Sequence, residues 1–431
     1  MTEELEWQTR RERINKKLRS VNPPWKIIKY QDGLNTSTLD RHAVEEYPTE
    51  NGPADYALFV KGLFLGILEA KKVRVGPQNV LEQAKRYSRG ARDGVGNWNG
   101  YRVPFLYSSN GEIIWHLDVR NPKNLSRQVC NFHTAPALEE FLNRPDSDFE
   151  PPPVVNERLR YYQRKAIERI EEALAKGKRA MLVAMATGTG KTFLTVSLLY
   201  RLLESKRFKR ILFLVDRRAL AAQAVREFAS FTTPKGNKFN QEYEVYSQRF
   251  RKEDFDDNEP FDPQVLHNSY LTSPDATKTF VYVSTIQRMT VNLFGWEHAF
   301  PQDSGDPDYE EDAEQFETPI PIHAFDLIVA DECHRGYTAK QTAIWRQVLE
   351  YFDAIKIGLT ATPAPHSLSL FREVIYRYTT EQAIQDGYLV DYEPIIIKSD
   401  VKIKGAFLKE GEHVGIIDTE TGEEIYDELE D

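Results

Sequence analysis

Five nearly continuous apolar runs in the second half of the chain constrain its fold most strongly. Stretches with the spacing of amphipathic helices separate these runs, and each run is short enough to be a strand. Strands this apolar are buried on both faces, and helical connections between them require a parallel sheet. The sequence therefore predicts an α/β domain around a parallel sheet. The runs, between residues 179 and 360, are RAMLVAM, RILFLVD, TFVYVS, FDLIVAD and AIKIGLT.

The segment MATGTGKT, residues 185–192, joins the first of these strands to the helical stretch KTFLTVSLLYRLL. Glycines permit a tight loop whose backbone N–H groups surround an anion at the N-terminus of a helix. In such a phosphate loop (P-loop) Lys191 would hold the terminal phosphates of ATP and Thr192 would ligate Mg²⁺. The strict pattern has glycine in place of Met185, and an ordinary glycine-rich turn is the alternative. The predicted ATP-binding residues of the loop are Thr187, Gly188, Thr189, Gly190, Lys191 and Thr192.

The segment FDLIVADECH, residues 325–334, ends an apolar strand on two adjacent acids. Ligands of open α/β sheets bind at the carboxyl ends of the strands. Asp331 would therefore hold the Mg²⁺ of the nucleotide, and Glu332 would orient and polarise the attacking water. A solvated pair of acids is the alternative, which Lys191 and Thr192 disfavour because they supply the rest of a nucleotide site.

With these two motifs, further segments resemble those of superfamily-two helicases and translocases, in the same order. LRYYQRKAI resembles the segment whose glutamine contacts adenine, so Gln163 is the candidate, with Arg160 beside it. LFLVDRRALAAQ and VSTIQRM resemble strand-end motifs that face nucleic acid in that family. LTATP resembles the Thr-Ala-Thr motif that couples hydrolysis to movement. The resemblance implies coupling roles for Thr360, Thr362 and His334, the last of which lacks the neighbours of a metal ligand.

A run of three prolines in EPPPVVNERL divides the chain, because it excludes both a helix and a central strand. We predict a linker at 150–157, between a domain at 1–149 and the first RecA-like motor domain at 158–390. Residues 391–431 would begin a truncated second motor domain. In the helicase family, arginines of that domain complete the ATP site, so this chain alone is expected to bind ATP weakly and hydrolyse it poorly. The polar stretches 232–278 and 303–317 are interpreted as surface insertions.

A second chemistry is indicated by PADYALFVKGLFLGILEAKK, residues 53–72. Its two apolar runs predict a hairpin that turns at Lys61 and Gly62. The hairpin would bring Asp55 close to Glu69 and Lys71, which share one face because strand side chains alternate. Two carboxylates that share Mg²⁺ can polarise a phosphate and generate a hydroxide nucleophile, while a lysine stabilises the developing charge. A surface hairpin with solvated charges is the alternative.

This hairpin resembles the PD-(D/E)xK nuclease core, written here as Pro53, Asp55, Glu69 and Lys71, with the proline displaced by one position. Behind it, a predicted helix in PQNVLEQAKRYSRG carries Gln83 and Tyr87 on one face. These two residues resemble the Gln-x-x-x-Tyr element of RecB-like nucleases, which implies that they position the metal site or the DNA backbone. Glu45 or Glu46 is a further candidate ligand, with simple solvation as the alternative.

The order of nuclease, proline linker and translocase resembles the restriction (HsdR) subunit of type I restriction-modification enzymes. The resemblance implies an ATP-dependent translocase and endonuclease that uses Mg²⁺ and cuts duplex DNA away from the recognition site. It also implies methylation and specificity subunits as partners. Members of that family continue through a second motor domain, a helical region and an assembly region, so a fragment or truncated product is expected.

Two other functions remain open from the sequence: a DNA repair helicase with an inactive nuclease-like domain, and a scaffold that senses ATP without turnover. The net charge of −10 argues against nucleic acid, but bases are concentrated locally in RRERINKKLR and KRFKR. The 2 cysteines form no disulfide framework or zinc pattern, and no apolar run of about eighteen residues indicates a membrane span. A cytoplasmic location is expected.

Overall fold

The computed structural model contains two seven-stranded sheets, one in each half of the chain. None of the helices in its described part is long and apolar enough to cross a membrane. The described residues are 9–72, 81–144, 149–152, 156–250, 263–295, 319–333 and 339–391, with the backbone alone of 413–417 and 424–428.

The N-terminal sheet is mixed, and its strands lie in chain order from β1 to β7. A π-helical turn, Arg10–Ile14, leads directly into α1, Asn15–Ser20. The strands are β1 Lys26–Lys29, β2 His42–Thr49, β3 Gly52–Val60, β4 Leu63–Ala70, β5 Phe105–Ser109, β6 Ile114–Asp118 and β7 Arg127–Val129, and the helices that follow α1 are α2 Leu81–Arg89 and α3 Ala135–Asn143.

The predicted hairpin is confirmed, since β3 and β4 are antiparallel and turn at Lys61 and Gly62, both with positive φ. Both faces of this hairpin are buried, which explains its nearly continuous apolar sequence. Leu58 packs in the cluster that contains Ile14 and Leu18 of the N-terminal helix. The adjacent Ala57, which points the opposite way, packs in the cluster around α2.

The second sheet confirms the predicted parallel arrangement, with the order β10-β11-β9-β12-β13-β8-β14 and only parallel pairs. Its strands are β8 Ala180–Met185, β9 Arg210–Val215, β10 Glu244–Ser247, β11 Phe280–Thr285, β12 Leu327–Ala330, β13 Ile355–Thr360 and β14 Val374–Tyr378. Its helices are α4 Tyr161–Ala175, α5 Lys191–Glu204, α6 Arg218–Ser230, α7 Phe239–Glu242, α8 Asn268–Thr272, α9 Ile286–Phe294, α10 Ala339–Tyr351, α11 Pro365–Phe371 and α12 Thr380–Gln385.

Part of the polar stretch 232–278 belongs to the sheet, which differs from its interpretation as a surface insertion. It supplies β10, which pairs with β11 at the sheet edge, and Phe239, whose side chain is fully buried. An edge strand needs few apolar residues because one long side remains open, so its sequence is too polar to be recognised. Residues 251–262 and the acidic run 303–317 lie outside the described residues.

The domain boundaries stay predictions, with two observations bearing on them. Phe149, assigned by the sequence to the first domain, packs in the core of the second sheet with Phe208. Within the predicted second motor domain, the described backbone forms an antiparallel pair of strands, β15 His413–Ile417 and β16 Glu424–Glu428.

The N-terminal domain contacts the amino ends of the strands of the second sheet, at the edge opposite the predicted ATP site. Charged residues open β9 or lie one or two positions before β12 and β13, and polar contacts join them to residues of the N-terminal domain. The ion pairs are Arg127–Asp353, Arg144–Asp326 and Glu140–Arg210, and the His133 imidazole forms a hydrogen bond with Asp353.

Candidate functional site

The two acids of the hairpin converge, as the sequence predicts. Asp55 lies in β3 and Glu69 in β4, the neighbouring antiparallel strand. The backbone N–H of Asp55 donates to Glu69 Oε1 at 3.3 Å, and the N–H of Ala70 donates to Asp55 Oδ2 at 2.7 Å. Both residues are buried, with 7% and 3% of their surface exposed. The strand pairing therefore holds two carboxylates together inside the domain.

A third acid lies beside them on β2. Glu46 falls between the pairs Glu45–Tyr56 and Tyr47–Ala54, which places it across from Asp55. Its φ of 55° is in the left-handed region, which is sparsely populated by residues other than glycine. Glu45 is used elsewhere, because its Oε1 accepts a hydrogen bond from Asn15 at 3.4 Å. Of the two upstream candidates, Glu46 is therefore the one directed at the acid pair.

The surroundings of the acid pair favour a positive charge. Burial raises the pKa of Glu69 to about 8, with a further contribution from the charge of Asp55. The charges of Lys71 and Arg10 act in the opposite direction on the same carboxyl. The N–H of Lys71 donates to Ser109 at 2.9 Å, which fixes it at the end of β4. The carboxylates of Asp55, Glu69 and Glu46 fit a hard divalent cation, which prefers carboxylate oxygens.

Arg10 is part of this site, and sequence reasoning missed it. Its guanidinium forms ion pairs with both Glu46 and Asp55. None of the residues in the basic segment RRERINKKLR was predicted to be part of a site. A signal was nevertheless present, since Arg10 precedes the core residues Ile14 and Leu18 by four and eight positions, the spacing of one helical face.

Gln83 and Tyr87, which resemble the Gln-x-x-x-Tyr element, lie on α2, and this helix packs against β3 and β4. The ring of Tyr87 contacts the start of β3, where a Cβ on Gly52 would lie 3.5 Å from Tyr87 Cε1. Gln83 lies one turn earlier, and its Oε1 is buried without a hydrogen-bond partner among the described residues. An orphaned buried oxygen is costly, so a cation or a water bound to one is a suitable partner for Gln83.

The predicted nucleotide site occupies the carboxyl edge of the second sheet. The loop that follows β8 turns through Gly188 and Gly190, whose φ angles are 80° and 77°. Gly190 is the N-cap of α5, so the first N–H groups of this helix face the loop. Thr187 and Gly188 are exposed at the tip, whereas the Thr189 hydroxyl donates to Ala186 at 2.6 Å. The local strand, loop and helix thus match the prediction.

Lys191 and Glu332 approach each other across the sheet, although 141 positions separate them in the numbering. Lys191 Nζ lies 3.4 Å from Glu332 Oε1 and 3.4 Å from the carbonyl oxygen of Met185. Glu332 is the second residue after β12, has a φ of 49°, and donates its N–H to the Asp331 carboxylate at 2.9 Å. Thr192 is half-buried on the first turn of α5. The lysine and the adjacent acids therefore face one space between β8 and β12.

The side-chain amide of Gln163 is not free to contact adenine, because it is hydrogen-bonded within the protein. Both ends of its amide bond the protein: Nε2 donates to Thr189 and Gly190 oxygens at 3.1 Å, and Oε1 accepts from Arg160 N at 2.9 Å. The Arg160 guanidinium lies over the Tyr388 ring, 4.6 Å from its centroid. The structure therefore shows Gln163 as a brace for the phosphate loop, and an adenine contact stays a prediction.

The Thr-Ala-Thr segment closes β13, which lies between β8 and β12. The Thr360 hydroxyl accepts from the Thr362 N–H at 3.1 Å, and Thr362 is exposed. Beyond it, the hydroxyl of Ser367 donates to the Cys333 carbonyl at 3.3 Å, which connects α11 to the loop after β12. His334 lies outside the described residues.

Both halves of the chain are similar to subunits of restriction enzymes. Residues 156–365 match the family model of the res subunit of type III restriction enzymes, and residues 25–142 match that of the second domain of the type I restriction enzyme EcoKI endonuclease subunit. The EcoKI endonuclease subunit of Escherichia coli (strain K12) is 32% identical over 94% of this chain and 36% of its own length. The EcoAI endonuclease subunit of Escherichia coli is 30% identical over 82% of this chain and 38% of its own.

The chain thus spans a little over a third of the length of these relatives. Among solved structures, the ATP-dependent type ISP restriction-modification enzyme LlaBIII bound to DNA is 18% identical, with a TM-score of 0.37. It covers 76% of this chain, and this chain covers 20% of it.

Proposed function

Because this chain belongs to the family of type I restriction enzyme endonuclease subunits, we propose that it forms the nuclease domain and the first motor domain of an ATP-dependent DNA translocase and endonuclease. Such an enzyme would cut duplex DNA away from its recognition site. The observation that carries the proposal is the convergence of Asp55 and Glu69, with the charge of Lys71 acting on Glu69, in a domain packed against a phosphate-loop sheet.

In the nuclease site, Asp55 and Glu69 would hold Mg²⁺, with Glu46 as a third acid on the adjacent strand. The bound cation would polarise the scissile phosphate and supply a hydroxide nucleophile. Lys71 acts on the carboxyl of Glu69 electrostatically and would stabilise the charge that develops on the phosphate. Gln83 and Tyr87 would position the metal site or the DNA backbone.

In the motor site, backbone N–H groups at residues 187–192 would surround the phosphates of ATP, and Lys191 would neutralise the terminal ones. Thr192 and Asp331 would hold Mg²⁺, and Glu332 would orient the attacking water. Gln163 and Arg160 would support the loop and the base. Arginines of a second RecA-like domain, whose start we place at 391–431, would complete the site.

Movement would be transmitted through the segments that flank this site. Thr360, Thr362 and His334 would couple hydrolysis to domain motion. Sequence recognition would rest with specificity and methylation subunits of a cytoplasmic restriction-modification complex. Binding of DNA by this chain would then depend on phosphate contacts, so its affinity should fall steeply with salt concentration.

The proposal is tested in the full-length enzyme assembled with its partner subunits. Asp55→Asn and Lys71→Ala should abolish DNA cleavage while ATP hydrolysis and translocation persist. Lys191→Ala should abolish translocation and ATP-dependent cleavage together. Full cleavage by both nuclease variants would overturn the nuclease assignment and leave the repair helicase as the better function. Nucleotide-dependent shape change without phosphate release by the wild-type complex would instead indicate a scaffold.

A further inference from the structure

We propose that Arg10 is a resident counter-ion of the nuclease site, which a divalent metal ion must displace before it can bind Asp55. The proposal rests on the nuclease function proposed above. It assigns a role to a residue outside the PD-(D/E)xK and Gln-x-x-x-Tyr patterns, and it predicts how tightly the site binds metal.

Arg10 is positioned by the packing of the helical segment that carries it. The helical segment that carries it buries Ile14 and Leu18 completely, in the same cluster as Trp25 and Tyr56. Next to Ile14, the Asn15 Oδ1 accepts a hydrogen bond from the Tyr56 hydroxyl at 2.8 Å. Tyr56 is the neighbour of Asp55 in β3, so this contact fixes the helix beside the acid pair.

The guanidinium competes with a metal ion for the same atom. Asp55 Oδ2 already accepts from the N–H of Ala70 at 2.7 Å, whereas Oδ1 is the oxygen that pairs with Arg10. Arg10 also pairs with Glu46, so it spans two of the three acids. A metal ion bound by Asp55 and supported by Glu46 would occupy the position of the two guanidinium nitrogens.

Electrostatics explains why such a counter-ion is useful. Glu46, Asp55 and Glu69 lie on three adjacent strands. Without a cation, repulsion between the buried Asp55 and Glu69, with the exposed Glu46 beside them, would destabilise the domain. Arg10 supplies one positive charge in a fixed fork that suits carboxylates. A divalent ion carries twice that charge and exchanges for it, whereas a monovalent ion gains no such advantage. The site thereby remains folded without metal and discriminates for a divalent ion.

The test measures the affinity of the purified 431-residue chain for Mn²⁺ alone by isothermal titration calorimetry, without DNA or nucleotide. Arg10→Gln should bind Mn²⁺ about tenfold more tightly, because one charge-assisted interaction no longer has to be broken. Arg10→Lys retains the charge without the fork and should lie between the two. The matched control is Arg11→Gln, at the exposed neighbouring position, which should leave the affinity unchanged.

A fourth variant, Asp55→Asn, separates failure of the counter-ion role from failure of the metal site itself. Asp55→Asn should abolish Mn²⁺ binding, whereas Arg10→Gln should raise the affinity for Mn²⁺. If Asp55→Asn loses binding while Arg10→Gln and Arg10→Lys both bind like wild type or more weakly, the counter-ion role alone is overturned. If Asp55→Asn binds Mn²⁺ like wild type, the proposed metal site itself is wrong, and the role of Arg10 with it. Thermal melting of each variant establishes that it is folded, and if Arg10→Gln does not fold, Arg10→Lys decides.

Discussion

Arg127 and Asp353, 226 positions apart in the chain, form a two-point ion pair, with Nε to Oδ1 at 2.6 Å and the terminal nitrogen to Oδ2 at 2.7 Å. Arg127 opens the last strand of the N-terminal sheet, and Asp353 lies two residues before β13 of the motor sheet. Asp353 also accepts from His133 at 3.0 Å and from Arg179 at 2.8 Å. One buried carboxylate thus connects the two domains.

Replacement of Asp353 by Asn should therefore lower the free energy of unfolding by about 3 kcal/mol, the low end for a buried ion pair, because it leaves the partly buried Arg127 and Arg179 without their counter-charge. Chemical unfolding measures the effect. Glu172→Gln is a matched control, since Glu172 pairs with Arg169 where both side chains are about half exposed. Such a pair contributes about 0–1 kcal/mol. Equal losses for the two variants would contradict the role of Asp353.

A second interdomain acid predicts how stability depends on pH. Asp326 is buried, which acts to raise its pKa, but the charges of Arg144 and Arg210 lower it to about 2, from a usual value of 3.8. A carboxyl whose pKa is lower in the folded state stabilises that state above its unfolded value. This contribution is therefore present above about pH 4 and is lost as the pH falls toward 2.

Asp326→Asn removes that contribution, so the difference in unfolding free energy between wild type and variant should shrink as the pH falls from 5 to 3. Denaturant unfolding at several pH values measures the difference. A gap that stays constant across this range would show that Asp326 is not held ionised by the two arginines.

The position of Glu332 beside Lys191 predicts a separation of ATP binding from hydrolysis. In the full-length, assembled enzyme, Glu332→Gln should retain ATP binding but lower the rate of hydrolysis by about 10²-fold or more, as a positioned water is lost. Fluorescent-nucleotide binding and phosphate release measure the two properties. Near-normal turnover by the variant would assign the attacking water to another residue.

Gly190 tests the geometry of the phosphate loop. A Cβ at this position would lie 2.7 Å from Gln163 Nε2, and its φ of 77° disfavours any side chain. Gly190→Ala should therefore weaken nucleotide binding strongly, because Gln163 must leave the loop. Gly236→Ala is the control, with a φ of 88° and no atom within 4 Å of the added Cβ. It should cost about 1–2 kcal/mol of stability and leave nucleotide affinity unchanged.

The second sheet was predicted well because its signals are local. A strand, a glycine loop and a helix follow each other directly at 180–204, so the fold of the phosphate loop depends on neighbours in sequence. The strands before Asp331 and Thr360 are apolar throughout because both faces of a parallel sheet are buried. The short strands β10 and β14 escaped detection because they lie at the edges of the sheet, where burial does not select for apolar residues.

In the nuclease half, residue types and spacing within one hairpin were enough to predict that Asp55 and Glu69 converge. β1 and β2 were not predicted, and the choice between Glu45 and Glu46 stayed open, because strand register depends on pairing with a distant segment. Arg10 was missed because its contact with Asp55 also joins distant segments. The helical segment that carries Arg10 packs on the face of the sheet opposite α2.

By itself the sequence determined the local elements that carry each motif, which are the hairpin with Asp55 and Glu69 and the strand, loop and helix around Lys191, because the residues of each motif are close together in the chain. Only the tertiary structure decided which cation faces the nuclease carboxylates, that Gln163 braces the loop, and that Asp353 and Asp326 join the domains. These contacts connect residues between 26 and 226 positions apart. Burial makes them decisive, because a charge removed from water must find its partner wherever the fold supplies one.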